Sequence, residues 1–263
     1  PPPPPLAKCS VGTAVELKVT GVATVRLTRP ICQAAPPPPL VQVLSGFATK
    51  LDEYRHPIVS MLVEAGFATV QYDLTDGIHA DDAHLEAADQ AWAAAVAAGG
   101  VSSQRRLLVG HSRGGKIAAL LLARLGDASA AAALVDPVNS NRPPHYPDAP
   151  SAMRSAGVGA LTIGAGVSGA CNPTAVNYAA FVNASDPRSS LAFVIPRAGH
   201  VDFLRPGTFR EIAREECGTG GSEDAGELAA VGAMWWLSGK PLGPLLSWLE
   251  CEADAHEVRL LVS

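Results

Sequence analysis

Residues 107–125 read LLVGHSRGGKIAALLLARL, and this segment changes character twice along its length. It opens with three apolar residues, as a buried strand does, and ends in a run rich in alanine and leucine, as a helix does. Between the two lies a G-x-S-x-G pattern in which Ser112 stands between Gly110 and Gly114. A serine on a sharp strand-to-helix turn is the arrangement of a catalytic nucleophile. We therefore predict that Ser112 is a nucleophile; the alternative is a chance match in an ordinary turn.

From residue 40 onwards, short apolar runs alternate with helical runs. The predicted strands are residues 40–44, 68–72, 106–109, 131–135, 159–163 and 191–195, and the predicted helices are residues 57–65, 82–98, 116–125, 174–182 and 227–237. Apolar strands separated by helices indicate a parallel sheet that is covered on both faces. Nearer the N-terminus, residues 14–20 and 23–28 alternate apolar with polar side chains, which predicts an antiparallel hairpin with Gly21 in its turn. The whole chain, 1–263, is therefore predicted to form one α/β domain.

Two segments depart from this alternation. Residues 1–8 begin with five prolines and are predicted to be a flexible end. Residues 139–157 follow the strand predicted at 131–135 and contain four prolines. A long irregular insertion at this point is either a surface loop or a lid over the site.

Composition narrows the classes of ligand. Only 17% of the residues are charged and the net charge is −5, so there is no electrostatic reason to expect nucleic acid as a partner. The partners should be small or apolar. The five cysteines are far apart and form no C-x-x-C pair, which argues against a structural zinc site; they are Cys9, Cys32, Cys171, Cys217 and Cys251. At least one of them is unpaired, one or two disulfides are possible, and no metal or cofactor is predicted.

A serine nucleophile needs a histidine base, which follows both the serine and the acid in sites of this kind. Three histidines follow Ser112 in the chain, namely His145, His200 and His256. The first lies in the proline-rich insertion and the last in an acidic C-terminal segment. His200 comes shortly after the strand predicted at 191–195, on a loop from which a base can reach the serine. We therefore predict His200 as the general base.

The acid is less directly indicated, because residues 164–172, where it usually lies, contain no Asp or Glu. Asp136 directly follows the strand predicted at 131–135, and the carboxyl ends of parallel strands face the ligand crevice. Asp186 precedes the last strand and so should lie at its far end. Asp202 adjoins the predicted base but is more often a helix cap in such a position. By elimination, Asp136 is predicted as the acid.

Backbone N–H groups should stabilise the oxyanion that forms when the serine attacks. Arg113 opens the helix, so its amide is one predicted donor. The second should come from the loop after residue 44, as the amide of Phe47 or Ala48. Phe47, together with its neighbour Gly46 and with His111 beside the nucleophile, is also predicted to contact the substrate.

The side chain of Arg113 raises a separate question. A cation at a helix N-terminus opposes the helix dipole, by about 0.3–1 kcal/mol when it is exposed. Either a nearby carboxylate or the helix cap accepts this guanidinium, or the side chain points into solvent.

Three motifs together resemble the chlorophyllase family. They are GHSRGGK at 110–116, DPV at 136–138 and GHVDFL at 199–204, and the similarity extends from about residue 40 to residue 204. Gly66-Phe67 and Asn172-Pro173 are also similar. Ser45 and Val201 depart from the family, whose plant members have a histidine at the first position and more often a methionine at the second. Residues 139–157 and those beyond residue 205 match poorly.

The resemblance implies an α/β-hydrolase fold, with a mostly parallel central sheet, an N-terminal antiparallel hairpin and helices on both faces. It implies an esterase that removes phytol from chlorophyll, with Ser112 as nucleophile, Asp136 as acid and His200 as base. It further implies an apolar pigment substrate, transient contact with a membrane or a pigment–protein complex without a spanning helix, and a chloroplast location. A general carboxylesterase acting on smaller esters and a non-catalytic pigment-binding protein are the alternatives.

Overall fold

A computed structural model describes residues 8–32, 36–74, 79–140, 147–218, 220–256 and 258–261. Most of the predicted flexible end, and residues 141–146 of the predicted lid, lie outside these ranges.

The strands are β1 (Ser10–Val11), β2 (Val15–Leu17), β3 (Thr24–Thr28), β4 (Pro30–Ile31), β5 (Pro39–Leu44), β6 (Ala68–Asp73), β7 (Ser102–His111), β8 (Ala130–Val135), β9 (Leu161–Val167), β10 (Leu191–Gly199) and β11 (Arg259–Leu261). Within the described ranges, nine of them form one sheet in the order β11-β10-β9-β8-β7-β5-β6-β3-β2, while β1 pairs with β4. The six central strands, β5 to β10, are parallel to their neighbours among themselves. The hairpin β2–β3, the pair β3–β6 and the edge pair β10–β11 are antiparallel. The prediction of a mixed α/β architecture with a mostly parallel central sheet is confirmed.

The helices are α1 (Ser60–Glu64), α2 (Asp81–Ala97), α3 (Arg113–Leu125), α4 (Ala149–Ala156), α5 (Tyr178–Val182), α6 (Thr208–Cys217), α7 (Ala225–Leu237) and α8 (Gly243–His256). Short 3-10 turns occupy Leu51–Tyr54 and Pro187–Ser189, and a π-helical turn, Arg55–Val59, leads into α1. In the described part of the chain, no helix has both the length and the apolar character needed to cross a membrane.

Hydrophobic cores lie on both faces of the sheet, because successive strand residues point to opposite sides. On β5, Val41 and Val43 belong to the core that includes residues of α1 and α7, whereas Leu40 and Leu44 belong to the core that includes residues of α2 and α3. Both faces of the parallel strands are therefore covered. This explains why their sequences are almost continuously apolar.

Helix α4 corrects part of the prediction made for residues 139–157. Ala149 and Met153 are fully buried in the core on the α3 side of the sheet. The stretch 149–156 is thus a packed helix and not irregular chain. Pro150 lies in its first turn, where a proline costs no helical hydrogen bond.

Two disulfides join four of the five cysteines. Cys9 pairs with Cys32, Cys171 pairs with Cys217, and Cys251 is free and exposed. The second disulfide links the loop after β9 to the last residue of α6. It therefore ties together two segments that border the site described next.

Candidate active site

Ser112 occupies a sharp turn between β7 and α3. Its backbone is in a region that non-glycine residues rarely adopt, with φ 57° and ψ −124°. A Cβ atom on Gly114 would lie 2.1 Å from the carbonyl oxygen of Leu44, and one on Gly110 would lie 2.2 Å from the carbonyl oxygen of Gly114. Because no side chain fits at either glycine, strand and helix approach closely enough to hold the serine in this turn.

The structure brings Ser112, His200 and Asp136 together. His200 Nε2 lies 2.9 Å from Ser112 Oγ, and His200 Nδ1 lies 2.6 Å from Asp136 Oδ2. The three residues follow the carboxyl ends of β7, β10 and β8, which are parallel strands of one sheet. A neutral imidazole that donates from Nδ1 to the carboxylate accepts at Nε2, which is the state needed to take a proton from the serine.

Asp136 is fully buried and is held by donors other than the histidine. Its Oδ1 accepts the amide of Ala165 at 3.0 Å, and its Oδ2 accepts Nδ2 of Asn172 at 2.9 Å. Asn172 is itself fully buried, and its Oδ1 accepts the amide of Gly169 at 2.7 Å. In the sequence, Asn172 is notable only as part of an Asn-Pro pair, which predicts no role for it in the site.

Of the two competing acids, Asp186 has the turn role expected of it, whereas Asp202 does not cap a helix as predicted. Asp186 accepts the amide of Arg188 in the turn before β10. Asp202 is buried and accepts the amide of Gly199, which closes the loop that carries the histidine. Its other oxygen pairs with Arg214 of α6 at 2.8 Å. This pair fastens α6 to the histidine loop.

The loop after β5 lies against the nucleophile. A Cβ atom on Gly46 would come within 3.0 Å of Ser112 Cβ. Gly46 and Phe47 line the same cavity as Ser112, and Phe47 is half exposed there, whereas Ala48 is absent from that wall. Of the two residues that the sequence left open as the second donor, Phe47 therefore borders the cavity and Ala48 does not. Arg113 is the first residue of α3, where amides have no acceptor in a preceding turn.

His111, predicted to contact the substrate, is 2% exposed. Both of its ring nitrogens are within hydrogen-bonding distance of other groups of the protein. Nδ1 is 2.9 Å from the hydroxyl of Tyr54, and Nε2 is 2.8 Å from the carbonyl oxygen of His200. Burial, reinforced by repulsion from His200, lowers the pKa of His111 well below its usual 6.5. The ring is thus neutral, and it forms part of the wall without offering a nitrogen to a ligand. Burial likewise raises the pKa of Tyr54 to about 12, so its hydroxyl stays protonated.

The guanidinium of Arg113 forms a hydrogen bond with a carboxylate. Arg113 Nε lies 2.9 Å from Asp81 Oδ1, and a further N–H of its guanidinium donates to the carbonyl oxygen of His79. Asp81 Oδ2 is also 2.7 Å from Nζ of Lys116, which donates to the carbonyl oxygen of Ser140. Burial lowers the pKa of Lys116, and its pairing with Asp81 acts in the opposite direction. Asp81 thus offsets the cost of placing cations in the first turns of α3.

Ser112 and His200 open onto a cavity of about 280 Å³. Its apolar wall consists of Phe47, Val138, Val201, Phe209, Ala213 and the disulfide Cys171–Cys217. Among the residues that the structure describes, no three His, Cys, Asp or Glu side chains are grouped so as to hold a metal ion. The cavity thus brings the hydroxyl of Ser112 and the imidazole of His200 next to an apolar surface.

The chain matches no protein-family model and no curated protein in sequence comparisons.

Proposed function

We propose that this protein is a serine ester hydrolase with an α/β-hydrolase fold. The observation that supports this proposal best is the hydrogen-bonded series Ser112 Oγ, His200 and Asp136, with distances of 2.9 and 2.6 Å. A serine hydroxyl becomes a useful nucleophile when a positioned base removes its proton and an acid orients that base. The chain order serine, acid, histidine is also that of α/β-hydrolases.

In the first half of the reaction, Ser112 Oγ bonds to the ester carbonyl carbon while His200 Nε2 takes the hydroxyl proton. The N–H groups of Arg113 and Phe47 stabilise the oxyanion, and Asp136 stabilises the imidazolium. The imidazolium then gives its proton to the departing alcohol oxygen as the carbon–oxygen bond breaks. An acyl group remains on the serine.

In the second half, water attacks the acyl carbon while His200 takes one of its protons. The tetrahedral intermediate collapses, His200 returns a proton to Ser112 Oγ, and the carboxylic acid leaves. Ser112 thus receives a proton from water in place of the one that left with the alcohol, so the enzyme is regenerated without an external acid or base. Each proton transfer uses the same Nε2 atom, which lies within hydrogen-bonding distance of the serine.

For the substrate, we propose the phytyl ester of chlorophyll, cleaved to chlorophyllide and phytol. The three motifs shared with chlorophyllases support this choice, and so does the apolar wall that Phe47, Val138 and Phe209 contribute to the cavity. A chloroplast location and transient contact with membranes or pigment–protein complexes belong to the same proposal.

A smaller ester is the second candidate, and the size of the cavity favours it. At about 280 Å³ the cavity lies just below the range for ligand sites, roughly 300–1,000 Å³. Chlorophyll would have to leave most of its macrocycle or its chain outside this space. A general carboxylesterase substrate would fit within it.

The test compares chlorophyllide release from chlorophyll a with hydrolysis of a short-chain nitrophenyl ester, for the wild type and Ser112→Ala. Ser238→Ala is the matched control, because this serine caps the end of α7 away from the cavity. Loss of both activities in Ser112→Ala alone supports the pigment esterase. Cleavage of the small ester alone by the wild type favours the general carboxylesterase. Pigment binding without turnover of either ester would contradict the enzymatic proposal.

A further inference from the structure

A second series of hydrogen bonds runs beneath the proposed triad. The amide of Gly46 donates to the hydroxyl of Tyr54 at 2.8 Å, and that hydroxyl is 2.9 Å from His111 Nδ1. His111 Nε2 in turn is 2.8 Å from the carbonyl oxygen of His200. Tyr54 is 1% exposed, so water does not compete for these contacts. The series therefore joins the loop after β5 to the backbone of the proposed base.

The direction of each hydrogen bond follows from the groups involved. A carbonyl oxygen only accepts, so the N–H of His111 is on Nε2 and points to His200. A neutral imidazole has one N–H, which leaves Nδ1 as an acceptor for the hydroxyl proton of Tyr54. The oxygen of Tyr54 then accepts the amide of Gly46. The hydroxyl of Thr49 also lies 3.0 Å from that of Tyr54, so the Tyr54 oxygen has three polar neighbours. The tautomer of His111 is fixed by the carbonyl oxygen of His200.

The Gly46 end of this series bears on the proposed oxyanion donor. The carbonyl oxygen of Gly46 accepts Oγ1 of Thr49 at 2.9 Å, while its amide is held by Tyr54. The N–H of Phe47 belongs to the same planar peptide group as that carbonyl and points to its opposite side. Fixing the Gly46 carbonyl thus fixes the direction of the Phe47 amide.

We propose that Tyr54 and His111 are positioning residues that hold the oxyanion loop and the general base in a fixed relative arrangement. This inference rests on the proposed ester hydrolase, because it assigns the two residues a task in that reaction. Neither residue offers a polar atom to the substrate. Their effect is on the alignment of groups that do, and misplacement by about 1 Å costs on the order of 10²-fold in rate.

Tyr54→Phe deletes a single oxygen and is the primary test. Tyr72→Phe is the matched control, because Tyr72 is also buried and its hydroxyl donates to the carbonyl oxygen of His84 at 2.9 Å. We expect Tyr54→Phe to lower kcat on a nitrophenyl ester about tenfold or more, with KM changed by less than about twofold. Tyr72→Phe should leave kcat unchanged while lowering the melting temperature to a similar extent.

Two variants of His111 test the hydrogen bonds themselves. His111→Gln retains one donor and one acceptor on a planar group, whereas His111→Leu retains neither. We expect the glutamine variant to keep more of the wild-type kcat than the leucine variant. Equal losses in the two variants would contradict a role through hydrogen bonding.

A readout independent of turnover separates this inference from the proposed function. The Nδ1 proton shared by His200 and Asp136 should give a far-downfield proton resonance, and we expect it to broaden or shift in Tyr54→Phe but not in Tyr72→Phe. If the wild type cleaves no ester, the proposed function fails, and this resonance alone decides on the positioning role. An unchanged resonance, or equal kcat in the two phenylalanine variants, would overturn the positioning role of Tyr54 and His111.

Discussion

Replacing Asn172 by alanine removes the side-chain amide that braces the proposed acid. Its Nδ2 is 2.9 Å from Asp136 Oδ2, and a hydrogen bond to a charged group contributes about 1.5–3 kcal/mol. The variant also deprives the amide of Gly169 of its acceptor, which adds about 1 kcal/mol to the loss of stability. We therefore expect the free energy of unfolding to fall by about 2.5–4 kcal/mol. Asp136 keeps its contacts to Ala165 and His200, so kcat should fall only about tenfold.

Urea denaturation and steady-state hydrolysis of a nitrophenyl ester measure these two effects. Asn177→Ala is a suitable control, because Asn177 is also buried but accepts the amide of Ala179 at the start of α5. Loss of this cap should cost about 1 kcal/mol and leave kcat unchanged. A stability loss below about 1 kcal/mol in Asn172→Ala, with kcat equal to that of the control, would refute the proposed bracing of the acid.

Three further outcomes are expected. Burial lowers the pKa of His111 in the folded state, so below about pH 6.5 the unfolded state binds a proton that the folded state does not. The contribution of His111 to stability should be fully present above that pH, and the free energy of unfolding should fall by up to about 1.4 kcal/mol per pH unit below it. Denaturation at about pH 7.5 and about pH 5 would show this fall, which should be less steep in His111→Gln. Replacing Cys171 and Cys217 together by alanine removes a disulfide whose cysteines have a sequence separation of 46. Chemical denaturation should show a free energy of unfolding lower by about 4 kcal/mol, and a change below about 1 kcal/mol would contradict this expectation. Gly110→Ala places a Cβ atom 2.2 Å from the carbonyl oxygen of Gly114, so we expect the yield of soluble protein and the melting temperature to fall severely. A melting temperature like that of the wild type would be inconsistent with the close approach of strand and helix.

The three residues of the proposed triad could be predicted because each follows an apolar run. Parallel strands end at the same edge of a sheet, so the sequence predicts that Ser112, Asp136 and His200 lie close together. The absence of an acid in residues 164–172 pointed to Asp136 by elimination, and the structure places that carboxylate against the histidine.

The supporting residues could not be predicted in the same way, because their partners are distant in sequence. Asn172 is 36 residues from Asp136, Tyr54 is 57 residues from His111, and no local pattern marks either pair. The side chain of Arg113 left two possibilities open, since its carboxylate partner Asp81 lies on another helix.

The sequence predicts an irregular insertion where the structure has the helix α4, and the reason lies in its prolines. Four prolines between residues 139 and 157 suggested a loop, yet the last of them, Pro150, lies in the first turn of a helix. Proline is compatible with that turn, because its missing N–H would have no helical partner there. Composition alone therefore does not separate a proline-rich loop from a helix that begins with proline.

The order in which the sheet places the proposed triad has a consequence for how activity develops during folding. Ser112 and Asp136 end the adjacent strands β7 and β8, which are joined by the single crossover helix α3. His200 is 88 residues from the serine and 64 from the acid, and it reaches them only after β9 and β10 have joined the sheet. Contacts between distant parts of a chain form late, because closing the intervening loop costs entropy first. A refolding chain would therefore regain its secondary structure before its reactive serine, and the return of activity would report the docking of the C-terminal strands.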